Sequence, residues 1–461
     1  MMVLLLIIPV LVLGFLVAVH IIPAKGMIAL AIGMVLLAAV SGIQLSAGFR
    51  DVHVDLTFFV LMAADLSLIV HLMLRRRIHR LGNDSSGLAR LQTVSIFIVL
   101  LLLVLVFQGF VSEIYESGLY VYHLNVYVNI LLMASLLYML ARMQLNASWL
   151  LQLIVVYSLA NSLLGILQYV TNRSYLLFAA EDSINYYEGV KVAKRVVGFV
   201  GASNGAGNLA AVLFPVLLMY FLNKRTFFGA AALLLNLLFL FLTFTRIGYL
   251  SVCVQFLVFL LTGKIGVQYQ LLKKLGIVMF AALAGLIIYQ MYFDQLNQIL
   301  FLDRGNTESH RFVQFYEAFG IMKEHMGIGL GAGQYIPYMQ IHHGVNDIAL
   351  HSQFLNAFVE LGTIGGILFF TTYVLLFLWS LRLYKGERWF PLCLFIGNFI
   401  VANFNPNQYY SLCVYTFFII AFGFVFARRG INRRQNGPME ASNCPNQRNP
   451  AANIMLVNEG V

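Results

Sequence analysis

A chain of 461 residues that is 61% hydrophobic and 10% charged lacks the polar surface a water-soluble fold of this size needs. Its apolar residues fall in blocks of about 17–25, long enough to cross a bilayer core as helix, without the period-two alternation of a membrane β-barrel. The net charge of +10 sits in short basic segments between those blocks, as at Arg75-Arg76-Arg77 and Arg428-Arg429, a pattern that sets insertion topology and argues against a nucleic-acid surface.

The sequence therefore predicts an all-α polytopic membrane protein with about 13 transmembrane helices (12–14) and a large outer loop containing a short amphipathic helix. In chain order the spans lie near 2–20, 26–44, 54–74, 91–112, 120–141, 148–170, 203–222, 226–244, 247–262, 272–292, 354–380, 389–404 and 408–427. The first block has no basic start and no small-residue cleavage site, so it reads as a retained span. Residues 428–461, rich in Asn, Pro and Arg, read as a disordered cytoplasmic tail. Four units follow: N-terminal spans (1–147), a central membrane domain (148–380), C-terminal spans (381–427) and the tail.

With the tail inside, alternation puts 20 of the 29 basic residues on the cytoplasmic side. The expected location is the cell membrane, with outer loops at 171–199 and 293–353. These two loops hold seven of the nine remaining basic residues: Arg173, Lys191, Lys194, Arg195, Arg304, Arg311 and Lys323. In the longer loop, Asn306 or Thr307 can cap a helix with Glu308 in its first turn. Phe312, Phe315, Phe319 and Met322 then form an apolar stripe along it. Cys253, Cys393, Cys413 and Cys444 lack metal-ligand spacing, so neither zinc nor a disulfide is expected.

Three clusters can carry chemistry. Arg195-Val196-Val197-Gly198 leads through Ser203-Asn204 into the seventh span. An Arg there can simply snorkel, but its planar guanidinium also suits bidentate phosphate binding, with Asn204 and helix N-terminal amides as further donors. Arg311 follows Arg304 and His310 on the loop helix, where a weak surface ion pair is the plainer reading. The Gly327-Ile328-Gly329-Leu330-Gly331-Ala332-Gly333 run after it suits a close-packed turn better than a nucleotide loop. His351 opens a span leading to Glu360-Leu361-Gly362. It is either a hydrogen-bonded anchor or a proton acceptor near neutral pH.

The Arg-x-x-Gly…Asn entry, the Thr243–Gly248 turn with Arg246, the Arg ahead of Gly-x-Gly-x-Gly, and His351 before Glu-Leu-Gly together resemble the O-antigen ligase and Wzy-type polysaccharide polymerase superfamily. The resemblance spans roughly residues 150–370. It departs from the usual pattern at Ala202-Ser203-Asn204, in place of Asn-Pro-Asn, and at Ser352, where Asn is usual.

The resemblance implies a glycosyltransferase whose partners are an undecaprenyl-diphosphate-linked glycan, the bilayer and a chain-length regulator, with no cofactor and no metal. Arg195 and Arg311 would hold the leaving diphosphate, and His351 would position or deprotonate the acceptor hydroxyl. Asn204, Arg246 and Arg304 would contact substrate. A polymerase extends another lipid-linked repeat, and a ligase transfers the glycan to a lipid or protein. A lipid-linked sugar transporter or flippase is the reading from another class, and it calls for broken helices and midplane charges.

Overall fold

The structure, a computed structural model, describes residues 24–40, 44–46, 53–74, 85–143, 145–176, 183–188, 191–263, 307–344, 349–405 and 407–427, with six single positions between 11 and 18. The expected span at 272–292, all but those six positions of the span at 2–20, the tail from 428, Arg304 and Cys444 lie outside these residues.

Each of the other eleven expected spans is a helix. They are α1 (Ala24–Ala38), α2 (Leu56–Leu74), α3 (Ser85–Val111), α4 (Ser117–Arg142), α5 (Ala147–Thr171) and α6 (Ser203–Lys224). After these come α7 (Phe227–Leu242), α8 (Arg246–Thr262), α11 (Gln353–Leu383), α12 (Trp389–Phe404) and α13 (Ser411–Phe426). Within this set, six helices are long and apolar enough to cross a membrane, and the other five are shorter apolar helices. The segment 293–353, expected as a long outer loop, supplies α9 (Thr307–Glu324) and α10 (Tyr335–His343). Two antiparallel hairpins, β1 (Gln44–Ser46) with β2 (His53–Asp55) and β3 (Asn185–Glu188) with β4 (Lys191–Lys194), add strand to an otherwise helical fold. Gln44, expected at the end of a span, is the first residue of β1 instead.

Helix α6 is the axis of the bundle. It packs against α5, α7, α8, α12 and α13, and nearly all of it is buried, whereas α3 turns most of its apolar surface outward. Close approach is secured by small residues: a Cβ on Gly207 would come within 2.5 Å of Thr245 Cβ, and one on Gly248 within 3.1 Å of the Gly207 carbonyl. Such small-residue contacts let backbones meet where lipid tails offer no hydrophobic drive. Buried amides tie the helices together as well. Asn236 donates to the Ala210 carbonyl at 3.0 Å, and Gln255 to that of Ala211 at 3.0 Å.

Helix α11 is broken at Gly362, whose φ of 69° and ψ of −178° no L side chain adopts comfortably. The glycine run Gly327–Gly333 fills the break. The amide of Leu330 donates to the Val359 carbonyl (3.0 Å), that of Gly331 to Glu360 (2.9 Å), and that of Thr363 to Met326 (3.1 Å). Gly329, Gly331 and Gly333 all have positive φ, which accounts for the spacing of glycines in the run. It is a close-packed turn, as expected.

A methyl group on Gly362 would lie 2.5 Å from the Ile328 carbonyl carbon as well as straining the backbone. Gly362→Ala should therefore lower the thermal midpoint of the detergent-solubilised protein by the equivalent of about 2 kcal/mol or more. Gly320→Ala, on α9 with open space around it, should change stability by no more than about 1 kcal/mol, towards greater stability. Equal midpoints for Gly362→Ala and wild type would refute the role given to the break.

Candidate functional site

Arg195 follows β4, and its backbone amide donates to the Ile184 carbonyl at 3.2 Å. The next segment is held from below by α5. Gln168 Oε1 accepts from the amides of Val197 (3.2 Å) and Gly198 (2.9 Å), and Asn161 Oδ1 from that of Phe199 (2.9 Å). Gly198 has φ +53°, and a Cβ there would sit 2.6 Å from Asn161 Oδ1. Glycine is thus required beneath the arginine.

The Arg195 side chain is 2% exposed. Its Nε donates to the Thr243 carbonyl at 3.0 Å and its Nη2 to Asn204 Oδ1 at 2.9 Å. Both acceptors are neutral, so these bonds fix the guanidinium without cancelling its charge. Thr243 belongs to the turn between α7 and α8, where Phe244 takes φ +50°, a left-handed conformation costly for a bulky residue. Thr245 Oγ1 locks that turn onto α6 by donating to the Ser203 carbonyl at 2.9 Å. Arg246 is the first residue of α8. Arg195, Asn204 and the turn carrying Arg246 therefore converge at the N-terminus of α6, whose N-cap, Ala202, offers no side-chain cap.

One turn further along α6, Asn208 continues the polar line. It accepts from Asn405 Nδ2 at 2.6 Å and donates to Asn407 Oδ1 at 3.3 Å. Asn407 in turn donates to Gln353 Oε1 at 3.1 Å, and Gln408 to the Leu350 carbonyl at 2.9 Å. The chain between α12 and α13 thus clamps the entry to α11 on both sides of His351.

His351 Nδ1 pairs with Gln314 Oε1 at 3.0 Å. Gln314 stands on α9, three residues after Arg311, so the helix bearing Arg311 is tied directly to the histidine. Ser352 caps α11, accepting from the Leu355 amide at 3.1 Å, and donates to Asn403 Oδ1 at 2.8 Å. The substitution of Ser for Asn at 352 does not leave His351 without a side-chain amide, because Gln314 supplies one.

Among the described side chains of α9, those from 313 on, Gln314, Ala318 and Ile321 are buried and Phe315 and Met322 partly buried. Phe319, expected in the same stripe, is 50% exposed beside exposed Val313 and Tyr316. The helix is apolar on more than its packed face, as suits a position at a membrane boundary.

Glu360 is 2% exposed and fully engaged with the turn: Oε2 accepts from the Gly333 amide (2.9 Å) and Oε1 from that of Tyr335 (3.1 Å). Burial, then the Glu317 and Glu360 carboxylates, push the Tyr335 phenol above its usual range, so it stays protonated. Gln334 closes the far side, accepting from the Glu116 amide (2.9 Å) and donating to its carbonyl (3.0 Å). The segments expected on the outer face thus meet at one end of the bundle.

Sequence reasoning missed Asn208, Gln314, Asn405 and Asn407. The available signal was amide side chains placed in or between strongly apolar blocks, above all the Asn405-Pro406-Asn407 run. Among the described residues no group of three or more His, Cys, Asp or Glu could hold a metal ion.

Residues 230–370 match a protein family described as O-antigen ligase, in agreement with the superfamily resemblance of the sequence. The match covers less than a third of the chain and takes in Arg246, Arg304, Arg311 and His351 but not Arg195 or Asn204. No curated protein matches the chain.

Replacing Asn208 by Leu keeps its bulk but removes partners from the amides of Asn405 and Asn407. The expected loss is about 1–3 kcal/mol for each buried group left unpaired, read as a lower thermal midpoint. An unchanged midpoint would show that the amide line is not what holds this end together.

Proposed function

We propose that this protein is a glycosyltransferase at the outer face of the cytoplasmic membrane, polymerising undecaprenyl-diphosphate-linked oligosaccharide repeats of a surface polysaccharide. The observation that carries the reading is the placing of two hydrogen-bonded clusters one turn apart on α6, Arg195 with Asn204 and Asn208 with Asn405, Asn407 and Gln353 at the entry of His351, with Arg311 one turn from the Gln314 partner of that histidine. The bonded groups come from α5, α6, α9, α11 and the α7–α8 and α12–α13 turns, on the side to which charge placement assigns the outer face.

The chemistry follows from these groups. The acceptor hydroxyl oxygen attacks the anomeric carbon of the donor and forms the new glycosidic bond. The bond from that carbon to the diphosphate oxygen breaks, and the electron pair leaves with undecaprenyl diphosphate. His351, oriented through Nδ1, takes the hydroxyl proton. Arg195 and Arg311 stabilise the charge gathering on the leaving diphosphate, as fixed donors aimed where charge develops. In this reading the guanidinium groups supply the positive charge, and Asn204, Arg246 and Arg304 add contacts to substrate. A chain-length regulator would act on the product from outside.

The family description favours a second reading, in which the same centre transfers the finished glycan to a lipid or protein as a ligase. The two differ in the acceptor alone. Transport of lipid-linked sugars gains little: α11 is broken, but the carboxylate beside the break is occupied by the Gly333 and Tyr335 amides.

The test is reconstitution in proteoliposomes with an undecaprenyl-diphosphate-linked oligosaccharide and no added nucleotide or metal. A ladder of longer lipid-linked glycans is expected, and Arg195→Ala, Arg311→Ala or His351→Ala should each abolish it with membrane insertion intact. Arg195→Lys should also fail, since an ammonium cannot bond to Thr243 and Asn204 in the same fixed plane. Full activity of the lysine variant would reduce Arg195 to a simple charge. Product only on adding a lipid A-type or protein acceptor would select the ligase, and movement of unchanged lipid between leaflets the transporter. Cysteines introduced at Asn185 and Gln340 should react with an impermeant thiol reagent from outside; labelling that needs permeabilisation would reverse the orientation.

A further inference from the structure

A cavity of about 400 Å³ opens at the same end of the bundle, away from the line described above. It lies between the α3–α4 turn, which gives Ser112, Glu113 and Tyr115, and the C-terminal end of α9, which gives Glu324 and His325. Met326–Leu330, the first part of the glycine-rich turn, forms the remaining wall. Its size falls within the range of small-ligand sites. Glu324 is ten residues from Gln314 on one straight helix, which sets the cavity about 15 Å from the partner of His351.

The walls are rigid. Gln108 donates to the carbonyls of Ile328 and Glu360, the latter at 2.9 Å, and the glycines of this wall sit in the break of α11. Tyr115 is fixed at its hydroxyl, which donates to Glu113 Oε2 at 3.2 Å and pairs with His342 Nε2 at 3.1 Å, where the ring nitrogen is the donor. Its ring stands edge-on to Tyr338 at 6.2 Å, and Tyr338 lies against His342 at 4.5 Å. The cavity therefore offers two carboxylates as acceptors, an imidazole and a phenol as mixed groups, and an immobile aromatic edge. Among the described residues no Lys or Arg lines it.

We propose that this cavity is a glycan subsite that takes a neutral or amine-bearing sugar unit of the chain, several units away from the reacting end. The choice of a sugar rests on the glycosyltransferase reading above. Sugar hydroxyls are donors in excess and carboxylates are acceptors only, so Glu113 and Glu324 fit them, while the apolar face of a pyranose ring lies against Tyr115. A uronic acid or phosphorylated sugar would bring a third negative charge to a site with no fixed cation, and so would be rejected. Two carboxylates also attract cations, but the absence of a three-ligand group among the described residues weighs against a metal here.

The full-length protein in lipid nanodiscs is titrated with soluble tetramers of N-acetylglucosamine, glucosamine and galacturonic acid, with binding read by saturation-transfer NMR and no turnover involved. The neutral and amine-bearing tetramers should bind at least about tenfold more tightly than the uronic acid, a difference of about 1.4 kcal/mol. Tyr115→Ala and Glu324→Gln should each weaken the favoured tetramer by a similar factor. Glu324 is exposed at a helix end, so its variant keeps the question answerable if Tyr115→Ala misfolds. Equal or tighter binding of the uronic acid, no effect of Glu324→Gln, or no binding of any tetramer at millimolar concentration would each overturn the subsite. Binding as expected without polymer or ligated product in the reconstituted assay would instead sink the transferase reading alone.

Discussion

An amide buried in a membrane bundle has no water to turn to, and Asn208 places one on the central helix, one turn below Asn204. Its partners must come from protein, and they come from the short segment between α12 and α13. That requirement ties the middle of the bundle to its C-terminal pair of helices, and through Asn407 and Gln353 to the start of α11. Without it, the three stretches bearing Arg195, His351 and Arg311 would be separate features of a long sequence. A polar line of this kind is costly if incomplete and rigid if complete. Here Asn208 has partners in the chain between α12 and α13, which bonds in turn to the start of α11, and Asn204, one turn away on α6, holds Arg195.

The break in α11 obeys the same constraint by another route. Interrupting a helix at membrane depth frees backbone groups, which is tolerated only where protein satisfies them. The glycine run does so from outside α11, and Glu360 returns the favour by accepting two amides from the incoming chain. Positive φ at four glycines is what allows two backbones to lie this close. The buried carboxyl group is therefore explained by construction, and the cost of its burial is offset in part by hydrogen bonds from two fixed amides. This is why an intramembrane acid, a frequent sign of ion coupling, points here to architecture.

Most of the fold was legible in the sequence because span formation depends on local composition. Eleven expected blocks are helices, with ends mostly within a few residues, and the loop helix at α9 begins at the expected Thr307. The close-packed nature of Gly327–Gly333 was also legible, since neither strand nor cation surrounds it. What failed depends on contact. Of the stripe Phe312, Phe315, Phe319 and Met322, Phe315 and Met322 pack on the core while Phe319 is exposed, and the fully buried positions among the described side chains of α9 include Gln314, whose partner is a histidine; the Phe312 side chain lies outside the described residues. Ser352 stands where Asn is usual, and the amide beside His351 arrives instead from Gln314, 37 positions earlier than the histidine. No periodicity encodes that exchange.

Arg195 shows how far geometry extends the argument. A snorkelling arginine reaches outward to headgroups and keeps its charge in water. This one is 2% exposed and bonded to a carbonyl and an amide, with glycine beneath it and a left-handed phenylalanine in the turn that holds it. Placing a guanidinium in such a setting is expensive, and the strain at Phe244 adds to the expense. In the proposed mechanism a guanidinium held in this way meets the developing negative charge of the leaving group without reorganising, and such preorganisation is what makes a buried cation effective.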